Sequence, residues 1–311
     1  MTNSKNTYEV KILGTDGYEG KENGWYGDCI IIYNASSSKM IVYDCGSEQH
    51  AERVIELMGD NKITQTDVIL SHNDSDHFDG IPKLIENGKV GKIFTTLLLK
   101  QEYIDAILEK LDDDRRTRDA TKKRILELYD NIAELSGNDL RDIYIDKNEL
   151  SEGIEFIGPD KDTMIEAVAT VIKENDIHSK EGSETLVNAT SLQIAVSLNN
   201  GKKFLLVADA ATENIVCDLS DYVNIQLPHH GKKSSAEAVF EKIEDNIGSH
   251  VFIVSDNTGS TNGGSDDLMS SDIIKGKVIR NTKILGDISV GMPVYATVND
   301  ARKDYGICSG T

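Results

Sequence analysis

Cations are scarce in this 311-residue chain: 33 Lys and Arg stand against 53 Asp and Glu, a formal net charge of −20. That deficit argues against a sequence-independent grip on DNA or RNA, which depends on Lys and Arg displacing counterions from phosphates. It leaves open a nucleic-acid substrate held locally at a metal site. Cysteine is equally sparse. Cys29, Cys45, Cys217 and Cys308 are scattered without paired metal spacing, which argues against a disulfide framework. No apolar run reaches the ~18 residues a bilayer span requires, and the opening Met1-Thr-Asn-Ser has no apolar leader core. A cytoplasmic location without a membrane partner is therefore expected. No 20–50-residue repeat occurs. Neither does a Gly-x-Ser-x-Gly elbow or a Gly-rich phosphate loop, so serine-nucleophile and phosphate-loop chemistries are set aside.

What is present suits a globular protein, with 39% apolar and 28% charged residues. Chains near 300 residues bury about three-quarters of their unfolded surface. Short β-branched and aromatic runs predict strands at Tyr8–Leu13, Cys29–Tyr33, Met40–Tyr43, Asp67–Leu70 and Lys92–Leu99. Helical spacing predicts helices at Ala51–Met58 and Phe78–Asn87, and Gly14–Gly27 reads as a loop. Alternation of strand and helix implies a layered α/β architecture. Residues from about 100 to 136 are charged, with Tyr103, Ile107, Leu111, Ile125, Leu128, Ile132 and Leu135 at helical spacing. They read as a helical insertion in one 1–311 domain: either a solvated hairpin with one packed face, or a lid or homodimer contact. Later strands are predicted at Asp142–Tyr144, Ile154–Ile157, Ser191–Leu198, Lys203–Val207, Val223–Leu227 and His250–Val254. Helices are predicted near Thr163–Lys173, Ala211–Asp218 and Ala236–Glu244. Asn199-Asn200-Gly201 marks a hairpin turn.

The segment Ser71-His72-Asn73-Asp74-Ser75-Asp76-His77 follows a predicted strand and precedes a predicted helix. It packs four metal-ligand candidates, His72, Asp74, Asp76 and His77, into six residues. A loop at a strand end can aim alternate side chains into one cavity, so His72 and Asp74 suit one ion and Asp76 and His77 its neighbour. Helix capping would account for only one Asp or Asn.

His72-x-Asp74-x-Asp76-His77 resembles the metallo-β-lactamase superfamily signature, usually His-x-His-x-Asp-His. The Asp in place of the second His resembles the hydrolase domain of the DNA-uptake channel ComEC and its stand-alone relatives. Further matches fall in family order: Gly27-Asp28-Cys29-Ile30-Ile31; Val42-Tyr43-Asp44-Cys45-Gly46; Asn188-Ala189-Thr190-Ser191-Leu192; Leu205-Leu206-Val207-Ala208-Asp209; and Leu227-Pro228-His229-His230-Gly231. Ala208 stands where that branch usually has Gly, and Ser255-Asp256-Asn257-Thr258-Gly259 lacks its usual His-Pro pair. The last fifty residues carry no recognisable motif.

The resemblance implies a four-layer αββα sandwich binding two divalent ions, manganese or zinc, with magnesium as a third choice. It implies His72, Asp74, Asp76, His77 and His229 as ligands, Asp209 as a bridge and Asp44 as a brace. Of the His pair, His229 is the expected ligand because it leaves the strand first; His230 is then available to a substrate phosphate or as a proton donor. Asp76 and His230 are the candidate catalytic groups. Asn188, Lys232 and Ser234 are candidates for substrate or supporting contacts, each with a bland alternative as a hairpin or solvated-turn residue. A carboxylate replacing an imidazole hardens the ligand set and moves preference from zinc towards manganese or magnesium. Bridging hydroxide attack on a phosphodiester, as in a phosphodiesterase or nuclease, leads; hydrolysis of a small ester, lactone or phosphorylated metabolite is the alternative. A nuclease should carry a basic stripe, and Lys100, Arg115, Arg116, Arg118, Lys122, Lys123 and Arg124 are its best candidates. The resemblance also suggests a protein partner encoded alongside.

Overall fold

The computed structural model describes residues 7–14, 27–96, 99–111, 117–135, 137–174, 180–181, 184–256 and 264–291. Its strands are β1 (Glu9–Ile12), β2 (Cys29–Asn34), β3 (Lys39–Cys45), β4 (Thr66–Ile69), β5 (Val90–Thr95), β6 (Asp139–Asp142), β7 (Ile154–Gly158), β8 (Lys180–Glu181), β9 (Glu184–Thr185), β10 (Gln193–Ser197), β11 (Lys203–Leu206), β12 (Asn224–Gln226), β13 (Val251–Val254), β14 (Val278–Asn281) and β15 (Ile288–Val290). Its helices are α1 (Glu48–Asp60), α2 (Ser75–Phe78), α3 (Ile81–Glu86), α4 (Gln101–Leu111), α5 (Arg118–Leu128), α6 (Asp130–Glu134), α7 (Ile143–Asp146), α8 (Lys161–Glu174), α9 (Leu186–Ala189), α10 (Pro228–Gly231), α11 (Lys233–Lys242), α12 (Asp266–Met269) and α13 (Thr282–Leu285).

Two large sheets form, in the orders β15-β1-β2-β3-β4-β5-β6 and β14-β13-β12-β11-β10-β7. Each sheet is antiparallel at one end and parallel at the other: β3, β4, β5 and β6 run parallel, as do β11, β12, β13 and β14. Parallel neighbours need crossovers that cover the sheet faces.

Alternation along the strands builds the layers. In β2, Cys29 and Ile31 face a helix-side cluster with Val54, Met58, Ile107 and Ile165, while Ile30 and Ile32 face a second cluster. That second cluster also holds Ile194, Val196, Phe204 and Leu206, so it lies between the two sheets. Ala195, Leu205 and Val207 point the other way, onto Ala236, Val239 and Phe240 of α11. Successive residues of one strand thus serve different cores because side chains alternate across the pleat. The result is the expected four-layer αββα sandwich, the metallo-β-lactamase fold.

Several local expectations change. The helix expected at Phe78–Asn87 is the shorter α3, set apart from α2 at Gly80, where a Cβ would lie 2.3 Å from the Ser47 carbonyl oxygen. The helix expected at Ala211–Asp218 is instead the short turns Thr212–Asn214 and Leu219–Asp221. Its polar residues are fastened sideways: Asn214 Nδ2 donates to the Ala189 carbonyl, and Gln193 Nε2 donates to the Asn214 carbonyl. Around Asp142–Tyr144, β6 ends at Asp142 and α7 begins. The motif-free C-terminal region supplies β14 to one sheet and β15 to the other.

Residues 100–136 contain α4, α5 and α6, whose Tyr103, Ile104, Ile107, Leu111, Ile125, Leu128 and Ile132 are buried in the helix-side core. Residues 15–26 of the expected loop lie outside the described residues, as do Arg115, Arg116, Ser136, His178, Asn257–Gly259 and Cys308. Among the described residues, no helix is long and apolar enough to cross a membrane.

Candidate metal centre

The His72–His77 loop leaves β4 at the parallel end of its sheet, where strand ends of α/β sheets present their loops. Leu70 N–H still donates to the Phe94 carbonyl before the chain turns away. Asp74 then occupies the N-cap of α2 without making a side-chain cap hydrogen bond. Its carboxylate, 45% exposed, lies 3.8 Å from His72 Nε2. The capping alternative is therefore not realised.

Asp44 holds this loop from β3. Its Oδ1 accepts from Ser71 N–H at 2.7 Å; its Oδ2 accepts from Ser71 Oγ at 2.7 Å and pairs with His77 Nδ1 at 2.8 Å. Asp44 sits at φ +57°, a left-handed conformation that Asp tolerates better than most residues. Gly46 and Gly27 clasp the loop from outside. Asp28 N–H donates to the Asp76 carbonyl, and a Cβ on Gly46 would fall 1.8 Å from that same oxygen.

The second sheet completes the site. Asp209 follows β11, and its Oδ1 stands 3.4 Å from His77 Nε2 and 3.9 Å from His230 Nε2. Asn188 Nδ2 donates to Asp209 Oδ2 at 3.4 Å. Ala208, at φ +46°, takes a left-handed turn where the resembled branch usually has Gly; its methyl is buried in the inter-sheet core, which offsets part of the conformational cost.

Both histidines of the pair face Asp209, from different sides. His229 and His230 both have left-handed backbones, φ +51° and +53°, so the chain does not continue straight from the strand. That reversal carries His230 inward, with Nδ1 3.1 Å from Asp28 Oδ1 and Nε2 2.9 Å from Asp76 Oδ2. His229 stays partly exposed, 3.9 Å from Asp209 Oδ2. Two groupings of ligand atoms lie within 4.8 Å of one another: His72, His77 and Asp209, and Asp76, His77 and His230. His230, rather than His229, joins them.

An open cavity of about 420 Å³ lies over these groups, lined by Asn73, Asp74, Ser75, Asp76, Asp130, Asn131, Asn188, Asp209, His229 and His230. Lys232 and Ser234 are not among its lining residues. Asp28, Ser71, Ser191, Gln226, Asp130 and Asn131 contribute without a role assigned from sequence. Asp28 sits in a recognised motif. Gln226 links it to the turn before Asp209: Oε1 accepts from Val207 and Ala208 N–H, and Nε2 donates to Asp28 Oδ2. Asp130 and Asn131 have no local signal.

Electrostatics bind the groups into one unit. Burial disfavours charge on His77, yet Asp76, Asp209 and Asp44 outweigh it and push its pKa well above the ordinary range. Burial likewise opposes charge on His230, and Asp209 and Asp28 overcome it. Burial would raise Asp209, but His230, His77 and His229 hold it well below the usual carboxylate range. Asp76 is depressed by His77 and His230 against the same desolvation. His72 is shifted down by burial and by the neighbouring His77. Carboxylates this dense need positive charge, and they draw His77 and His230 towards the charged form.

Divalent ions fit the same need. His72 Nε2, His77 Nε2 and Asp209 Oδ1 are buried without a hydrogen-bond partner, although buried polar atoms are nearly always satisfied. The opposite nitrogens of the two rings are held, His72 Nδ1 by Ser71 Oγ and Ser191 Oγ and His77 Nδ1 by Asp44. A ring fixed through one nitrogen and facing a cluster with the other is the usual posture of a metal-ligating histidine.

A family model for the Metallo-beta-lactamase superfamily matches residues 23–99. No curated protein matches the chain. Among solved structures, a metallo-β-lactamase with a HARLDQ motif from Cronobacter sakazakii is similar at 9% identity, TM-score 0.28, over 75% of this chain and 76% of that one. A single-site mutant of that protein aligns at 10% identity and TM-score 0.30 over 76% of each chain. A second mutant of that protein, with three histidine substitutions added, aligns at 10% identity and TM-score 0.33 over 79% of this chain and 77% of that one. The region matched by that family model holds β2, β3, β4 and the His72–His77 loop.

Proposed function

We propose that the protein is a dinuclear metal-dependent hydrolase of small phosphodiesters. The carrying observation is the set of three buried atoms without a hydrogen-bond partner, His72 Nε2, His77 Nε2 and Asp209 Oδ1, converging beneath a cavity. His72 and Asp74 would hold one ion, Asp76, His77 and His230 the other, with Asp209 shared between them. Divalent ions bound there supply Lewis acidity at the attacked group and lower the pKa of coordinated water. The oxygen-rich donor set favours manganese or magnesium over zinc. Asp44 and Asp28 orient His77 and His230, so the ligand cluster is assembled before substrate arrives. Asp76 pairs with His230, and Asn188 steadies Asp209.

A small substrate is favoured over a nucleic-acid strand. Among the described residues, those lining the cavity include neither Lys nor Arg, and several basic side chains of the candidate stripe are occupied elsewhere. Lys100 pairs with buried Asp142, Arg118 with Asp105, and Arg124 with Glu127. The same lack of cations favours, as a second reading, a neutral carboxylic ester or lactone on this site.

Hydrolysis of bis(p-nitrophenyl) phosphate with Mn²⁺, Mg²⁺ or Zn²⁺ tests the proposal, with Asp209→Ala beside it. Metal-dependent p-nitrophenolate release that disappears in Asp209→Ala, together with lower metal content, is the expected result. Metal bound without turnover, alongside lactone or carboxylic-ester hydrolysis, would overturn it in favour of the second reading.

A further inference from the structure

Part of the cavity wall comes from the α5–α6 junction, and it is fastened to the His72–His77 loop. Asn73 is the fastener. Its Nδ2 donates to the Leu128 carbonyl at 3.2 Å and to Asp130 Oδ1 at 3.0 Å, while its Oδ1 accepts from Ile132 N–H at 3.1 Å. Asn131 Nδ2 returns a bond to the Asn73 carbonyl at 2.8 Å. Leu128 and Ile132 on either side are buried in the helix-side core. Asp130 and Asn131 therefore reach the cavity on a rigid support and keep a fixed place relative to the candidate ligands.

Asp130 Oδ1 is consumed by Asn73 and by the Asn131 N–H. Among the described residues Oδ2 makes no hydrogen bond or ion pair, and Asp130 lines the cavity. Asp74, Asp76 and Asp209 are the other three lining carboxylates. Two divalent ions would answer those three, but among the described lining residues no Lys or Arg answers Asp130. A substrate presenting a second anionic group would meet like charge there, whereas an ammonium or hydroxyl would be received by an acceptor with no competing protein donor.

We propose that Asp130 is a specificity-determining residue: it accepts a hydrogen bond from a donor group, ammonium or hydroxyl, on the part of the substrate remote from the hydrolysed bond. Resting on the hydrolase reading above, this narrows the substrate class to small esters whose retained alcohol carries such a donor. Asn73 and the α5–α6 junction position that carboxylate and leave the chemistry to the ligand cluster.

The test uses three p-nitrophenyl phosphodiesters with the same leaving group: one of ethanolamine, bearing an ammonium, one of glycerol, bearing hydroxyls, and one of ethanol, bearing neither. In each, water's oxygen joins phosphorus and p-nitrophenolate departs. The metal-loaded protein should favour at least one donor-bearing diester over the ethyl diester by about tenfold in kcat/KM, the factor of about 1.4 kcal/mol. Which of the two leads identifies the donor. Asp130→Asn keeps an oxygen for Asn73 and replaces the free acceptor with a donor, so the ratio should fall towards one while melting temperature and metal content hold. Equal rates on all three diesters, or a ratio unchanged in Asp130→Asn, would overturn the assignment. If none turns over, the phosphodiesterase reading fails by itself. The same ratios are then read as calorimetric affinities of the intact diesters, with the same two outcomes deciding.

Discussion

Gly46→Ala should remove the candidate metal centre without touching any of its ligands. A Cβ at position 46 would stand 1.8 Å from the Asp76 carbonyl oxygen, 2.5 Å from its carbon and 2.9 Å from Gly27 Cα. Side-chain carbons do not approach closer than about 3.0 Å, so a relief movement of about 1.2 Å is required. Every atom in the way is backbone. Retreat would cost the Asp28 N–H bond to the Asp76 carbonyl and the Gly46 N–H bond to the Asp28 carbonyl, both 2.9 Å. Two lost hydrogen bonds at about 1 kcal/mol each, with overpacking of about 2 kcal/mol, give about 4 kcal/mol of destabilisation. At about 2 cal/mol/K per residue, a 311-residue chain loses roughly 6 °C in Tm.

The functional loss should exceed the loss of stability, because a shift of about 1 Å at Asp76 moves a proposed ligand out of bonding range and displaces its neighbour His77. Thermal melts with and without Mn²⁺, and metal content after dialysis, are the assays. Gly59→Ala is the matched control: nothing lies within 4 Å of its would-be Cβ, and it sits within α1, where Ala is better than Gly by up to about 1 kcal/mol. A Gly46→Ala protein melting within a degree of wild type, with metal retained, would refute the clasp.

Asp44→Asn keeps the volume but removes the charge that faces His77 Nδ1 and Ser71. Metal affinity by competition with a chelator should fall about 10–100-fold, with little change in far-UV circular dichroism; unchanged affinity would deny Asp44 its bracing role. His50 is fully buried, and burial pulls its pKa down to about 4 from 6.5. Its contribution is complete above pH 6.5 and is lost as pH falls through about 4, since the unfolded state takes up the proton first. The gap is worth about 3 kcal/mol. Denaturant unfolding of His50→Gln should therefore show a shallower loss of stability than wild type between pH 6.5 and 4, and parallel curves would contradict this.

Legibility from sequence followed the range over which each feature is determined. The Cys-Ile-Ile-Ile-Tyr run of β2 could be read because both faces of that strand are buried, and its chemistry declares this without reference to anything distant. The His72–His77 ligand candidates could be read because four of them crowd one loop. Ala211–Asp218 could not, because its apparent helical spacing is overruled by hydrogen bonds from Gln193 and to Ala189, which belong to another segment. The burial of His230 beside Asp76, with His229 left partly exposed, was not legible because two consecutive left-handed residues have no signature in a His-His-Gly string beyond the glycine itself. Asp130 and Asn131 lie 57 and 58 positions beyond Asn73, in helices whose period announces packing and nothing else. The ligand cluster is carried by motifs, whereas the wall that would choose the substrate is carried by a tertiary contact. A chain of this kind can therefore carry its candidate ligands in recognisable motifs while the proposed specificity wall appears only once the α5–α6 junction is placed against Asn73.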